Sequence, residues 1–417
     1  MIEEARPPRY RWVIEALLFV ALFAQTVTAI APAPILSPIM GGLHLSLGAA
    51  GLVVSIIALC SAVFSVLGAL VVQRLGALRT LRWGIWLMAV GQIASGYAAT
   101  FGTLLASRVL QGIGFGLMIA PPGALVMQWF GESEWPWINT VNCLNSYVGA
   151  TCVYAVTVPM FYALHSSWQA VFFTYGVGVA AVALLWMAFG REHESAAMHA
   201  GGAALTPGAS AVREVLGMRD VVLVALATFG AMWVYQMFAV FLPQFFHDYH
   251  GLELKEASQL TAILPLAAIF AAAGGGFGTS FLGVRKPFTW PAGILVLLGG
   301  LGAITMPSVG GIRFSLILFG TGTAASPSAL TTLLMELPGM TPVKVGIGLA
   351  LVWSAGYTGA FASPFLGGAL ASSLGLRTVM LGFLGFQLIP IATMYLLPET
   401  GPGGRAPVRI APATGSD

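Results

Sequence analysis

Charged side chains are scarce in this sequence. Lys, Arg, Asp and Glu make up 8% of its 417 residues, whereas 58% of the residues are hydrophobic. Soluble domains contain about 25% charged residues. This composition excludes an ordinary soluble protein. The formal net charge of +3 is too small to indicate a nucleic-acid partner, and we expect none.

Groups that could build a catalytic or metal centre are also scarce. The three cysteines Cys60, Cys143 and Cys152 lie in apolar runs, where cysteine behaves as a small apolar residue. They form neither a disulfide framework nor a zinc spacing. The histidines fall in predicted loops or at the ends of runs, and their short cluster FHDYHG, residues 246–251, is a weak metal motif. The sequence therefore predicts no metal, no cofactor and no enzyme activity.

Long apolar runs recur along the whole chain. Each is about 20 residues long, the length that an α-helix needs to cross a bilayer. The first run follows a start with no cleavage pattern of a signal peptide, so we interpret it as a retained span. The sequence predicts an all-α integral membrane protein with twelve transmembrane helices. They begin near Trp12, Ser46, Leu81, Thr103, Ile138, Trp168, Val221, Ala257, Phe288, Phe314, Val345 and Leu376.

The least apolar interruption separates six runs from six. It predicts an N-terminal six-helix bundle over residues 1–190, a middle loop over 191–219, a C-terminal six-helix bundle over 220–400 and a tail over 401–417. Of the 18 Lys and Arg residues, 14 fall at ends that the positive-inside rule assigns to the cytoplasm. We therefore expect a multi-pass protein of the inner (cytoplasmic) membrane with both termini in the cytoplasm.

One offset of 205 residues relates the two halves. Arginine and proline are rare in membrane spans, so four matched pairs at one offset indicate a duplicated six-helix unit. Duplicated bundles with a site between them are the usual build of secondary transporters. The pairs are Arg108 with Arg313, Pro38 with Pro243, Pro122 with Pro327, and Pro159 with Pro364.

Two motifs resemble those of the major facilitator superfamily. LLASRVLQGIGFG, residues 104–116, is similar to the fourth-span signature of that family, and GALVVQRLGALR, residues 68–79, resembles its cytoplasmic gating motif. GFGTSFLGVRK, residues 276–286, is the equivalent stretch of the second half. The resemblance covers nearly the whole chain, and it implies two pseudo-symmetric six-helix bundles and, commonly, a monomer. It also implies a gating role for Arg74, Gly76, Arg79, Arg285 and Lys286.

The gating stretches depart from the family pattern at their acidic positions. Gln73 and Ser280 stand where the family usually has an acidic residue. A latch between helices that depends on charge is therefore not expected in this chain. We expect hydrogen bonds to stabilise the facing states instead.

Arg108 and Arg313 raise the question of what neutralises them. The spans contain almost no carboxylate, because Glu15, Asp220 and Glu336 lie near membrane ends. A guanidinium suits carboxylate and oxyanion groups, so the pair predicts one anion held across the pseudo-two-fold axis. Alternatively, Arg108 is a conformational or proton-linked element and Arg313 snorkels at a helix end.

Other polar residues have helical spacings that place them on a common face. In the resembled fold, the first, fourth, seventh and tenth spans surround the central cavity, so that Gln25, Arg108, Gln236 and Trp233 would point inward. Hydrogen bonding between helices is the alternative role of the amides. The predicted substrate-binding residues are Arg108, Arg313, Gln25, Gln236, Trp233 and Asn142.

These features predict a secondary active transporter that moves a small solute across the lipid bilayer by alternating access. A small organic or inorganic anion is the favoured cargo. An exporter of neutral or lipophilic compounds is the alternative, supported by the glycine–proline pattern GYTGAFASPFLGG at residues 356–368. A membrane receptor or sensor is the alternative outside the carriers. The energy source stays open, since a proton could travel on the substrate, on Glu15 or on Glu336, or not at all.

Overall fold

The computed structural model describes residues 9–131, 134–193, 209–282, 286–337, 340 and 342–399. Within these ranges every regular element is a helix, and no strand occurs. The all-α prediction is therefore confirmed for this part of the chain. Arg285, the tail over 401–417 and part of the middle loop lie outside the described residues.

Eight helices make up the first half. The first span consists of α1 and α2, which are joined by a 3-10 turn at the proline-rich segment before Leu36, and the fourth span consists of α5 and α6, which meet just before Pro121. Proline lacks a backbone N–H and so interrupts helical hydrogen bonding at both places. The bounds are α1 Arg11–Ile30, α2 Leu36–Leu43, α3 Leu47–Leu75, α4 Ala77–Gly96, α5 Phe101–Leu117, α6 Pro121–Trp129, α7 Trp135–Ala163 and α8 Trp168–Phe189.

Nine helices follow among the described residues of the middle loop and the second half. A short helix in the middle loop, α9, precedes the seventh span, α11 and α12 together form the eighth span, and α16 and α17 form the twelfth. The bounds are α9 Ala209–Gly217, α10 Arg219–His250, α11 Leu254–Thr261, α12 Ile263–Leu282, α13 Trp290–Thr305, α14 Val309–Glu336, α15 Pro342–Leu374, α16 Leu376–Leu384 and α17 Leu388–Leu396.

The helices agree with the predicted spans. Among the described residues, nine helical segments are long and apolar enough to cross a membrane. The remaining three, α4, α7 and α14, have 20, 29 and 28 residues and are long enough but less apolar. Twelve spans are therefore consistent with the structure. The largest shift is at the tenth span, where α14 begins at Val309 and not near Phe314. The residue boundaries predicted for the two bundles stay a prediction.

The bundle has two ends, which we define by the chain. The terminal face is the end at which α1 begins and α17 ends, and the far face is the opposite end, where α3 begins. Near the far face, α3 and α15 approach very closely. A Cβ at Gly51 would lie 2.3 Å from the carbonyl oxygen of Pro364, and a Cβ at Gly368 would lie 2.4 Å from that of Leu47. Glycine is therefore required at this contact between the halves.

Hydrogen bonds also join the two halves near the far face. The Tyr154 hydroxyl donates to the carbonyl oxygen of Ala239. The Ser258 hydroxyl donates to the carbonyl oxygen of Tyr154 at 2.5 Å, and Ser37 donates to the side-chain oxygen of Gln244. This conformation is therefore closed at the far face.

The close approach of α3 and α15 predicts a cross-link. A Cβ at Gly48 would lie 3.3 Å from the Cβ of Ala369, slightly less than the spacing of about 3.5–4.5 Å in a disulfide. We expect the double variant Gly48→Cys with Ala369→Cys, in a background without the native cysteines, to form a disulfide under mild oxidation. Peptide mass spectrometry would detect the disulfide.

The two single-cysteine variants are the controls for this experiment. If both thiols react freely with a maleimide and no disulfide forms, the packing described here is contradicted.

Candidate functional site

Arg108 is completely buried in α5, and protein groups satisfy its guanidinium. Nε donates to the carbonyl oxygen of Val53 at 3.0 Å, and Nη2 donates to that of Ala29 at 2.8 Å. Nη1 donates to the carbonyl oxygen of Thr28 at 2.8 Å and to Oε1 of Gln111 at 2.7 Å. The cation is therefore held by backbone carbonyls and one amide, and it joins α1, α3 and α5.

The end of α1 explains why its carbonyls are available. The carbonyl of Thr28 would normally accept from the N–H four residues later, but that residue is Pro32, which has no N–H. The carbonyl of Ala29 lies in the last turn of α1, which ends at Ile30, where carbonyls lack helical partners. Arg108 supplies the missing donors. The break in the first span and the buried cation thus satisfy each other.

Gln111, which accepts a hydrogen bond from Arg108, extends the hydrogen bonds to α4. Gln111 donates to the Ser95 hydroxyl at 2.8 Å, and the hydroxyls of Ser95 and Ser107 lie 2.7 Å apart. Gln25, also a predicted substrate-binding residue, donates to the carbonyl oxygen of Phe115 at 3.1 Å. In this conformation Gln25 and Arg108 connect helices of the first half.

Arg313 has a different environment from that of Arg108. It lies in the second turn of α14 near the far face, is exposed, and lines a surface depression with Glu256 and Gln259. The structure does not bring the two arginines together here, because the groups around Arg108 come from the first half. Anion binding by either arginine stays a prediction.

The remaining predicted substrate-binding residues are also separated. Trp233 is buried in an aromatic cluster, where it stacks on Phe386 with ring centroids 4.5 Å apart and contacts Phe383. Gln236 is half-buried on α10, the helix that also carries Trp233. Asn142 is on α7 and faces α1. Their roles in substrate binding stay predictions.

A cavity lies inside the second half, between α10, α13, α14, α15 and the twelfth span. Its lining is mainly aliphatic, and no charged side chain is among the described residues that line it. Oε1 of Gln387 is buried without a hydrogen-bond partner. The polar lining residues are Thr228, Tyr235, Thr323, Ser326, Thr331, Trp353 and Gln387.

The sequence analysis missed the cavity residues Tyr235 and Gln387. Tyr235 lies between Trp233 and Gln236, but successive residues on a helix are rotated by about 100°, so it lines a different face. Gln387 is a polar amide within the twelfth apolar run, and this is the sequence feature that could have indicated a functional residue there. Only the packing of five spans shows that the two residues line one cavity.

The first predicted gating stretch is held by an acid from elsewhere in the chain. Gly76, with φ +84°, separates α3 from α4 at the terminal face. Glu192, which follows α8, accepts from the backbone N–H of Leu78 at 3.0 Å. A carboxylate at the start of α4 is favourable because that end of a helix carries partial positive charge. Arg74 and Arg79 are exposed beside it.

The second half has the same arrangement. Glu399, which follows α17, accepts from the backbone N–H of Lys286 at 2.8 Å. The Lys286 ammonium lies 5.3 Å from the ring centroid of Tyr395. Acids after the sixth and twelfth spans thus contact the segments that lack the family's usual acidic residue. The gating roles of these residues stay predictions.

The comparison with family models identifies the family. The model described as Major Facilitator Superfamily matches residues 17–355. The chain belongs to the major facilitator superfamily. It is therefore a multi-pass membrane protein of a transporter family, as the two motifs implied.

Two curated relatives of this superfamily member come from Bacillus subtilis (strain 168). A protein named Uncharacterized transporter YycB is 30% identical over 191 residues, which cover 44% of this chain and 45% of that protein. A Hexuronate transporter is 26% identical over 252 residues, which cover 58% of each chain. The matches thus span about half the length of these relatives.

Solved structures share the fold at low sequence identity. A bacterial homolog of the human lysosomal transporter Spinster, in an inward-facing and unoccupied conformation, has a TM-score of 0.79 and 16% identity, covering 93% of this chain and 97% of that chain. A D-xylose-proton symporter has a TM-score of 0.75 and 15% identity, covering 94% and 99%. The fold of the superfamily is therefore confirmed, and twelve helices in two six-helix bundles are consistent with it.

The bonds of Arg108 predict a large effect of Arg108→Lys on stability. Lysine keeps the charge, but its ammonium cannot reproduce the planar fork that reaches α1 and α3 together. We expect a loss of about 2–4 kcal/mol, since each hydrogen bond from a charged group contributes about 1.5–3 kcal/mol. Thermal unfolding of the purified protein in detergent would show a lower midpoint.

Arg313→Lys is the matched control for this substitution. Its side chain is exposed, so the midpoint should stay close to that of the wild type. Equal effects of the two substitutions would show that the bonds of Arg108 contribute little to stability.

Proposed function

We propose that this protein is a secondary active transporter that moves a small uncharged organic solute by alternating access. The solute binds in the cavity of the second half. The observation that carries this proposal is that the described residues which line the cavity are neutral and that none of them donates to Oε1 of Gln387. A charged solute would lose its hydration there without gaining an opposite charge.

Several groups could bind such a solute. Oε1 of Gln387 would accept a hydrogen bond from a hydroxyl or amide of the solute. The Tyr235 hydroxyl, which also lines the cavity, would donate to an oxygen of the solute. The aliphatic lining and the Trp353 ring would cover its apolar part. Ligand pockets commonly combine an apolar lining with a few such polar groups.

The closed far face supports an orientation for this conformation. The positive-inside rule places the terminal face, and with it both termini, in the cytoplasm. The described conformation is then inward-facing. The similarity to an inward-facing Spinster homolog agrees with that assignment. We further propose that the protein acts as a monomer in the inner membrane.

A small organic anion is the second candidate solute. The similarity to a Hexuronate transporter favours it, as does the buried charge of Arg108, whose four hydrogen bonds go to no carboxylate. The anion would have to bind in another conformational state, because Arg108 is completely buried in this one.

A ligand screen followed by transport would test the proposal. Thermal shift of the purified protein would compare neutral alcohols, amides and lipophilic drugs with carboxylates and oxyanions. Hits would then be tested for counterflow of the labelled solute in proteoliposomes, which a receptor or sensor would not support. We expect a neutral compound to raise the unfolding midpoint and to show counterflow.

Cavity variants would then locate the site. Tyr235→Phe and Gln387→Leu should each weaken binding of that compound by about threefold to tenfold, since one neutral hydrogen bond contributes about 0.5–1.5 kcal/mol. Tyr395→Phe, at an exposed tyrosine of the terminal face, should leave binding unchanged. If only anions bind, and if the Arg108→Gln variant is produced at the wild-type level but no longer binds them, the second candidate, a small organic anion, is favoured.

A further inference from the structure

Glu15 is a buried acid with no ion-pair partner among the described residues. It lies near the start of α1 with 7% of its surface exposed. Neither carboxylate oxygen makes a well-formed hydrogen bond within the described part of the chain, and the Asn142 amide is the polar group that lies against it. An ionised carboxylate in such a place is unfavourable, because it has lost water without gaining an opposite charge. The cavity in the second half and the bonds of Arg108 do not involve this residue.

The groups that face Glu15 from α7 are the amides of two asparagines. Asn142 lies against the carboxylate, and Asn145 is on the same face of α7, three residues further along. The Asn145 amide nitrogen donates to the carbonyl oxygen of Phe19, one turn beyond Glu15. Oδ1 of both asparagines is buried without a donor. Four oxygen acceptors thus lie between α1 and α7.

The nearby charged groups have other positions or partners. Arg11, one turn before Glu15, pairs with Glu134 at 2.9 Å. Arg82 of α4 donates to carbonyl oxygens at the end of α8, including that of Gly190 at 2.9 Å. Arg74 and Arg79 are exposed at the terminal face. Neither these four arginines nor Glu134 bonds to the Glu15 carboxylate.

The other helices packed against α1 add no opposite charge. On α7, the titratable neighbours of Asn142 are Cys143, whose side chain is exposed, and Tyr147. On α3, Cys60 is buried beside Gly112. The sequences of α6 and α8 contain no charged residue.

We propose that Glu15 is a proton-binding site of the transport cycle. A proton from water joins one carboxylate oxygen, and the resulting carboxylic acid is neutral. Its O–H then donates to Oδ1 of Asn142, so that one proton removes the buried charge and supplies the donor which the neighbouring acceptors lack. Release of the proton requires α1 and α7 to separate enough to admit water.

Helix α7 connects this site with the far face. The same helix carries Tyr154, about three turns beyond Asn142, and Tyr154 bonds to Ala239 and Ser258 of the second half. A movement of α7 against α1 therefore also acts on the contact between the halves. This coupling rests on the proposed transport function, whereas proton binding by Glu15 does not.

Infrared spectroscopy of the full-length protein would detect the proton without any substrate. We expect a carbonyl band of a protonated carboxylic acid that titrates with pH in the wild type, is lost in Glu15→Gln and persists in Glu253→Gln, a control at an exposed acid of the far face. Glu15→Asp keeps a carboxyl group and should keep a band, shifted in position. If Glu15→Gln fails to fold, the shift of the band in Glu15→Asp still tests the assignment.

Two results would overturn the assignment. One is a band that is unchanged in both Glu15 variants, which would place the proton elsewhere. The other is a wild-type carboxylate that stays ionised over the whole pH range and responds to sodium but not to potassium or choline, which would indicate a metal cation bound to the same oxygens.

A transport measurement would test the coupling separately. Once a solute is known, Glu15→Gln should lose the stimulation of uptake by an imposed pH gradient but keep counterflow, which needs no gradient. Gradient-driven uptake equal to that of the wild type would overturn the coupling. A protein that shows the titrating band but transports no solute would contradict the proposed function and leave proton binding by Glu15 intact.

Discussion

The arrangement of the first half depends on one requirement, that polar groups buried away from water find their hydrogen bonds inside the protein. Arg108 and the end of α1 meet this requirement together. Pro32 leaves the carbonyl of Thr28 without its usual helical donor, and the guanidinium provides one. The same cation also bonds to α3 through Val53. A residue that is costly in a membrane thereby joins three helices at the break in the first span.

The contact between the halves depends on close backbone approach and on a few hydrogen bonds. Gly51 and Gly368 leave no space for a Cβ, so α3 and α15 meet through their backbones. Tyr154 bonds to the second half through both its hydroxyl and its carbonyl oxygen. Apolar side chains meet there as well, because Leu36, Ala50 and Val54 of the first half belong to a buried cluster that the second half otherwise forms.

The internal repeat indicated the duplicated architecture but not the environment of each paired side chain. The offset of 205 residues correctly indicated a duplicated unit, because proline and arginine are rare in spans and mark equivalent positions. It also paired Arg108 with Arg313, but the two side chains have different environments. Arg108 is buried among the carbonyls of two helices, whereas Arg313 lies near the exposed end of α14. A shared fold preserves the path of the backbone, but the partners of each side chain depend on the local packing.

Hydropathy by itself determined the membrane class, the approximate positions of the spans and the scarcity of acids in them, because these properties depend on the local composition of the chain. Two short motifs indicated the superfamily. Tertiary structure alone decided which polar groups meet. Gln387 and Tyr235 lie more than one hundred residues apart but line one cavity, and Glu15 faces Asn142 of another helix. Such pairs depend on the rotation and packing of whole helices, which no local stretch of sequence specifies.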